Sequence, residues 1–334
     1  MKDKVNIIIP AIKLDDELLT CLSKINKISY KDYFVTVVLD YKNKIKLPKF
    51  KFKINQMIVG KINMSKKRNL ASKKFKSTYI AFLDSDAHPT KNWLKLAVKY
   101  LKQKKGDVVG GPSLPFSNQN YSEKICHLSK RSVFVTGYLN FRKYKAKKRY
   151  CDWLESCNLI MKRNFFLTND GMDPNRYTGE DKEFFERAKR KNHNINVFYS
   201  PDLFVYHRER RFVGFLLQRS CFGMDFLNLT KYNTGLKGFQ PILPILIFST
   251  FLIILFSEIT IFYKINILLP SILIINLAIF LEIKKYIKSL KTLFFTIITI
   301  NLANIVFALG SFIGILGLRK LLVNKFYSYS RWNN

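Results

Sequence analysis

Acidic residues are scarce in this chain of 334 residues: 23 Asp and Glu stand against 57 Lys and Arg, a formal charge of +34. A balance so far from zero asks for an anionic neighbour, whether nucleic acid, the anionic face of a membrane or a phosphorylated substrate. Cysteine is sparse too. Cys21, Cys126, Cys151, Cys157 and Cys221 form no CxxC pair and leave one over in any pairing. That argues against a disulfide framework or a zinc site and for reduced thiols in a cytoplasmic setting. Near the N terminus, Val5–Ile9 is ended by Pro10, too short an apolar stretch for a signal peptide, so a secreted protein is not expected. No repeat of fixed period is present, and no RNP-like, zinc-finger or helix-turn-helix signature, so nucleic acid is not the expected partner. Nor is there a Ser/His/Asp or Cys/His set for nucleophilic catalysis.

What is present changes character along the chain. Hydrophobic residues make up 48% and charged residues 24%, which fits neither a disordered chain nor a pure bundle of membrane spans. Up to about residue 210, short apolar runs alternate with Lys-rich helical stretches. Strands are expected at Val5–Ile9, Phe34–Leu39, Ile54–Val59, Thr78–Leu83 and Ile195–Tyr199. Helices are expected at Asp15–Lys27, at roughly Ser65–Phe75, and from Thr178 to about Lys191. The alternation predicts an α/β fold with a doubly wound, mostly parallel sheet, whose ligands sit at the carboxyl ends of the strands.

Beyond Pro241 three long apolar segments follow, 241–263, 265–281 and 292–318. A span takes about 20 apolar residues and at least about 17, so the first and third qualify easily and the second only just. Lys284, Lys285, Lys288 and Lys291 between the last two place that loop, and with it the N-terminal domain, on the cytoplasmic side. Arg319, Lys320, Lys325 and Arg331 in the tail oppose that arrangement for three spans. Between the two regions, residues 211–232 suit a helix lying in the membrane interface, or equally an ordinary amphipathic packing helix. The expected domains are therefore 1–210, an interfacial helix and linker over 211–232, and a membrane domain over 233–334.

For chemistry, Asp40 and Asp84-Ser85-Asp86 fall at expected strand ends. Two carboxylates one residue apart, brought to one side by a turn, can hold a hard divalent cation and through it a diphosphate. They suit a solvated turn as well. Lys61, Lys66, Lys67 and Arg68 could neutralise phosphates, although in so Lys-rich a chain a solvated face is the default. Glu180 and Asp181 at a helix N terminus either complement its dipole or include a catalytic base. His207, beside Arg208, is open between an exposed loop residue, a metal ligand and a phosphate contact.

The order of these elements carries more than any one of them. Strand-Pro10, strand-Asp40, Arg68-Asn69, Phe82-Leu83-Asp84-Ser85-Asp86-Ala87-x-Pro89, Trp93-Leu94 and Gly110-Gly111-Pro112 follow one another, then Ser156-x-Asn158, Gly179-Glu180-Asp181, His207-Arg208 and Gln218…Phe222-Gly223. Over roughly residues 4–230 this resembles a family 2 glycosyltransferase of the GT-A fold, in a membrane-attached bacterial-type subgroup. The resemblance implies inverting transfer of a sugar from a nucleotide-diphosphate sugar, commonly a UDP-sugar, to a glycan or lipid-linked acceptor hydroxyl at the cell (inner) membrane, with the catalytic domain cytoplasmic, in cell-envelope polysaccharide or glycolipid synthesis. It implies that Pro10 and Asp40 border the base and ribose and that Arg68 lies near the nucleotide. Asp84 and Asp86 would bind ribose, diphosphate and a Mn²⁺ or Mg²⁺ ion, with His207 completing the metal site. Asp181 would be the base with Glu180 beside it, and Gln218 and Arg219 would serve the acceptor side.

Two departures matter. Asp40-Tyr41-Lys42-Asn43 lacks the acidic-Gly-Ser continuation common in such families, and Gln218-Arg219-Ser220-Cys221-Phe222 lacks the Gln-x-x-Arg-Trp of processive synthases. A distributive enzyme adding one sugar is expected. The rivals are a polyprenyl-phosphate sugar synthase and, from another class, a membrane-anchored basic protein that binds anionic lipid or nucleic acid.

Overall fold

The computed structural model describes residues 3–42, 47–176, 178–225, 227 and 241–319. The chain begins β1 (Val5–Pro10), α1 (Asp16–Ile25), β2 (Tyr33–Leu39), β3 (Lys53–Ile58), α2 (Met64–Lys74), β4 (Tyr79–Leu83), β5 (Ala87–Pro89) and α3 (Trp93–Lys102). It continues β6 (Val108–Gly110), β7 (Ser113–Leu114), α4 (Tyr121–Lys130), α5 (Val133–Thr136), β8 (Arg149–Tyr150), β9 (Asn158–Lys162), α6 (Arg163–Thr168), α7 (Glu180–Lys191), β10 (Val197–Tyr199) and β11 (Val205–His207). The described residues close with α8 (Phe212–Met224), α9 (Leu243–Phe256), α10 (Ile261–Ile283) and α11 (Leu290–Ile315). These residues form two compact units, one of residues 3–117 with 141–208 and one of 118–140 with 209–319. Residues 118–140, inside the region expected as one domain over 1–210, thus pack with the C-terminal helices.

The first unit is built on an eight-stranded sheet of order β3-β2-β1-β4-β9-β6-β10-β8. β1, β2 and β4 are largely apolar runs buried on both faces, the pattern that parallel strands covered by helices require, and the two polar exceptions satisfy each other, Thr36 Oγ1 donating to Asn6 Oδ1 at 2.8 Å. α1 lays Leu18, Cys21, Leu22 and Ile25 against the sheet, and its first turn is capped by Asp15, whose carboxylate accepts from the Leu18 amide at 3.0 Å. The first four strands in the order are parallel. β9 then runs antiparallel between β4 and β6, with Asn158 opposite Leu83. That reversal returns the chain to the end of the sheet where β4 finishes. A second small sheet, β5-β11-β7, pairs His207 with Ala87. The expected strands and helices all occur, within one to three residues at most ends.

In the second unit α8 lies along α11 with almost no side chain between the two backbones. A Cβ on Gly223 would overlap the carbonyl of Phe307, and Cβ atoms on Gly310 and Gly314 would overlap the carbonyls of Ser220 and Met224. Such small residues let helix backbones touch. The helix expected within 211–232 forms over Phe212–Met224 and packs on α11; residues 226 and 228–232 lie outside the described residues. Buried Asp225 pairs with Arg319 at 2.5 Å, so part of the tail's charge is neutralised within this unit. Residues 320–334 of the tail are likewise not described.

The spans differ from expectation in their boundaries. The stretch expected at 241–263 breaks at Ser257-Glu258-Ile259-Thr260: Ser257 turns extended, Thr260 starts a new helix, and Ile261–Tyr263 join α10. α9 keeps 14 residues, about 21 Å at about 1.5 Å per residue, short of a hydrocarbon core about 30 Å thick. α10 gains what α9 loses and reaches 23 residues. By length and composition α10 and α11 can each cross a membrane. The apolar side chains of α10, Ile261, Phe262, Leu273 and Ile274 among them, are mostly exposed.

Candidate active site

The carboxyl ends of β1, β2 and β4 lie side by side, where the strand order reverses from β1 to β4, and this edge carries Pro10, Asp40 and Asp84. After β4 the chain turns, with the Ala87 amide donating to the Asp84 carbonyl at 3.1 Å. The turn gathers both carboxylates instead of sending them to opposite faces as a strand would. Pairing of β11 with β5 then brings His207 to them, its Nε2 lying 3.6 Å from Asp84 Oδ2 and 3.4 Å from Asp86 Oδ1. One ligand atom from each of Asp84, Asp86 and His207 lies within 4.8 Å of the others. Ligand bonds of about 2.1 Å separate opposed donors by about 4.2 Å, so two oxygens and an imidazole nitrogen at this spacing fit a Mg²⁺ or Mn²⁺ ion after small side-chain rotations. Burial opposes the charge of His207, but the facing carboxylates of Asp86 and Asp84 outweigh it and push its pKa up to about 9. Burial likewise opposes ionisation of Asp84, and contacts with His207 and Arg68 overcome it, holding the carboxyl below its ordinary range.

α2 supplies the cations of this edge from its buried face. Ser65, Lys67, Arg68, Ala71 and Ser72 are buried while Lys66 is exposed. Arg68 reaches Asp84 Oδ1 at 2.9 Å with one guanidinium nitrogen and Glu180 Oε1 at 3.4 Å with the other. It therefore links the carboxylate pair to the helix N terminus that carries the second acidic pair. Lys67 is fully buried, with Nζ 2.5 Å from Asp40 Oδ1 and 2.5 Å from the Ala11 carbonyl. The solvated-face default thus fails for Lys67 and Arg68. The signal lay in the small residues Ser65, Ala71 and Ser72, whose helical spacing includes positions 67 and 68 in the buried arc.

Gly179, in the left-handed region at φ 66°, turns the chain into α7 and sets Glu180 and Asp181 on its first turn. Asp181 Oδ2 accepts from the Ser156 amide at 3.1 Å, while its Oδ1 is buried with no hydrogen-bond partner among the described residues. Ser156 is there because β9 starts opposite the end of β4, and Asn158 anchors that start by accepting from Trp93 Nε1 at 2.8 Å and donating to the Leu203 carbonyl at 2.6 Å. Burial, together with the charge of Glu180, lifts the Asp181 carboxyl to about 7. A base poised near neutrality is what proton removal at physiological pH needs. The amide of Ser156 as the anchor of Asp181 and the Lys67 clamp were not foreseen. Gln218 and Arg219 lie on α8 in the second unit, the Arg219 guanidinium 4.8 Å from the centre of the Phe307 ring.

No curated protein matches the chain closely enough to count as a relative. Among solved structures, that of S. aureus TarS matches at 18% identity and TM-score 0.45, over 76% of this chain and 44% of that one, so the chain spans less than half of that protein. S. aureus TarS 1-349 in complex with UDP-GlcNAc matches at 16% identity and TM-score 0.46, over 94% of this chain and 92% of that one. The model of the family "Glycosyl transferase family 2" matches residues 6–211, well over half of the chain. The chain is a glycosyltransferase and belongs to glycosyl transferase family 2.

Proposed function

We propose that this glycosyltransferase moves one sugar from a nucleotide-diphosphate sugar, with UDP-sugars first among the candidates, to a hydroxyl of a glycan or lipid-linked acceptor, inverting the anomeric centre. The observation that carries the reading is the buried Oδ1 of Asp181, without a hydrogen-bond partner among the described residues and held in place through its other oxygen. In the transfer the acceptor oxygen bonds to the anomeric carbon as the bond to the diphosphate oxygen breaks, and Asp181 Oδ1 takes the hydroxyl proton. Glu180 keeps that carboxylate basic by its charge and is itself held by Arg68. Asp84, Asp86 and His207 would hold Mn²⁺ or Mg²⁺, which when bound offsets the negative charge gathering on the departing diphosphate. Pro10 and Asp40, on the neighbouring strand ends, would border the nucleoside. Arg68 sits between the acidic pairs, which supports a role in fixing Asp84 and Glu180 more than one of contacting the nucleotide directly. Gln218 and Arg219 keep the acceptor-side role that the family resemblance implies.

The exposed apolar lengths of α10 and α11 support attachment to a membrane. With α9 too short to cross, the lysines at 284, 285, 288 and 291 no longer place the catalytic unit, whose cytoplasmic side is proposed from the cytosolic donor alone. A place in cell-envelope polysaccharide or glycolipid synthesis at the inner membrane follows from a cytosolic donor and a membrane-bound acceptor. The test is hydrolysis of a panel of nucleotide sugars by detergent-purified protein with Mn²⁺ or Mg²⁺, with Asp86→Ala alongside. Turnover of one donor, lost without metal and in the variant, is expected. Turnover indifferent to metal, or no donor bound together with tight salt-sensitive binding to anionic lipid, would overturn the reading.

A further inference from the structure

We infer that Lys67 is a positioning residue for the nucleoside half of the donor, acting through Asp40; the inference rests on the nucleotide-sugar reading above. Among the described residues Lys67 is the buried lysine, 0% exposed, in a chain whose lysines otherwise face solvent wholly or in part. An ammonium so placed costs free energy unless it is paired and hydrogen-bonded. It is both, 2.5 Å from Asp40 Oδ1 and 2.5 Å from the Ala11 carbonyl.

Those two partners belong to the two strand ends that frame the expected nucleoside position. Past β1 and β2 the backbones stay zipped: the Ala11 amide donates to the Val38 carbonyl and the Asp40 amide to the Ile12 carbonyl, each at 2.9 Å. Lys67 adds the side-chain rivet across the same junction. It holds the Asp40 carboxylate, itself 6% exposed, in one orientation. Arg68, the next residue, does the corresponding work at the end of β4, where it holds Asp84. α2 therefore divides its two buried cations between two halves of one site, Lys67 on the nucleoside side and Arg68 on the diphosphate side.

This division makes the inference separable from a general role in folding. The experiment uses the full chain in detergent with Mn²⁺, and measures binding of UDP and of inorganic pyrophosphate, which has no nucleoside, together with kcat and KM for the preferred donor. Lys67→Met keeps the length of the side chain and removes its charge. Expected is a loss of UDP affinity of about tenfold or more, the scale of one charge-assisted hydrogen bond, with a matching rise in KM, kcat little changed and pyrophosphate affinity kept. Asp40→Asn, which breaks the same clamp from its other end, gives the same signature and serves where Lys67→Met does not accumulate as folded protein. UDP and pyrophosphate weakening together, or UDP affinity unchanged, overturns the inference. A parent protein that binds neither ligand overturns the nucleotide-sugar reading itself, and the inference with it.

Discussion

Asp181→Asn separates chemistry from folding. In the parent, burial with help from Glu180 raises the carboxyl from its ordinary 3.8 to about 7. At about 1.4 kcal/mol per pH unit, that rise means that ionising Asp181 costs the fold on the order of 4 kcal/mol. The sign follows from proton linkage. The folded protein binds this proton more tightly than the unfolded chain, so stability is whole below about pH 4, is lost as pH climbs toward about 7, and stays lost above. An amide has nothing to ionise and so escapes the penalty. Solvent at the cleft screens part of the cost, and half of it is a sound expectation. At roughly 2–4 °C per kcal/mol for a chain of this size, the variant should melt roughly 4–8 °C above the parent at pH 8, with the gap closing toward pH 4. Transfer should be abolished while donor binding persists. In the parent, turnover should rise about tenfold between pH 6 and pH 8, as titration of one base near 7 requires. Melting followed by tryptophan fluorescence at three pH values, with donor binding and transfer on the same preparations, checks every part. A variant less stable than the parent at pH 8, or one that still transfers sugar, would refute the reasoning.

Three further outcomes are expected. Asp86→Ala removes one carboxylate of the Asp84/Asp86/His207 cluster, so Mn²⁺ binding read by electron paramagnetic resonance should be lost and turnover should fall by about 100-fold or more. Arg68→Met leaves Asp84 and Glu180 facing without their shared cation; loss of one partner of a buried pair costs about 3–5 kcal/mol, read as a lower melting temperature. Gly310→Leu drives a side chain into the Ser220 carbonyl and should destabilise the α8–α11 pair by about 1–3 kcal/mol or more, whereas Leu309→Ala, at a side chain 45% exposed, should change little.

The strands of the first unit could be read in advance because β1, β2 and β4 are apolar runs interrupted only by Asn6 and Thr36, each ending at or just before a residue that marks the edge: Pro10, Asp40 and Asp84. The acidic pairs could be read for the same reason, since their distance from a strand end or a helix start is local information. β9 was visible only as the apolar run Leu159-Ile160-Met161, because a short buried run carries no direction, and its antiparallel course is what brings Ser156 to Asp181. Lys67 was lost among many similar cations, and Arg68 was placed only by the family resemblance; which cation faces the sheet is a matter of about 100° per residue along α2, and only the small residues around it betray that. Residues 118–140 were assigned by position in the chain. Their buried face, Ile125, Cys126 and Leu128, names no partner, and the partner lies far along the sequence in α8 and α11.

That last arrangement bears on how the enzyme can be handled. A soluble catalytic fragment is the usual wish for a transferase with long apolar C-terminal helices, and a stop codon near residue 210 the obvious way to make one. Here the cut would strip α4 and α5 of the helices they pack against while leaving them in the fragment, baring Cys126 and Val135. Such a fragment should aggregate, whereas one that also replaces 118–140 by a short polar linker from Ser117 to Phe141 removes the orphaned surface. The chain enters its second unit, leaves it and returns, so the catalytic unit has to be freed at two places rather than one.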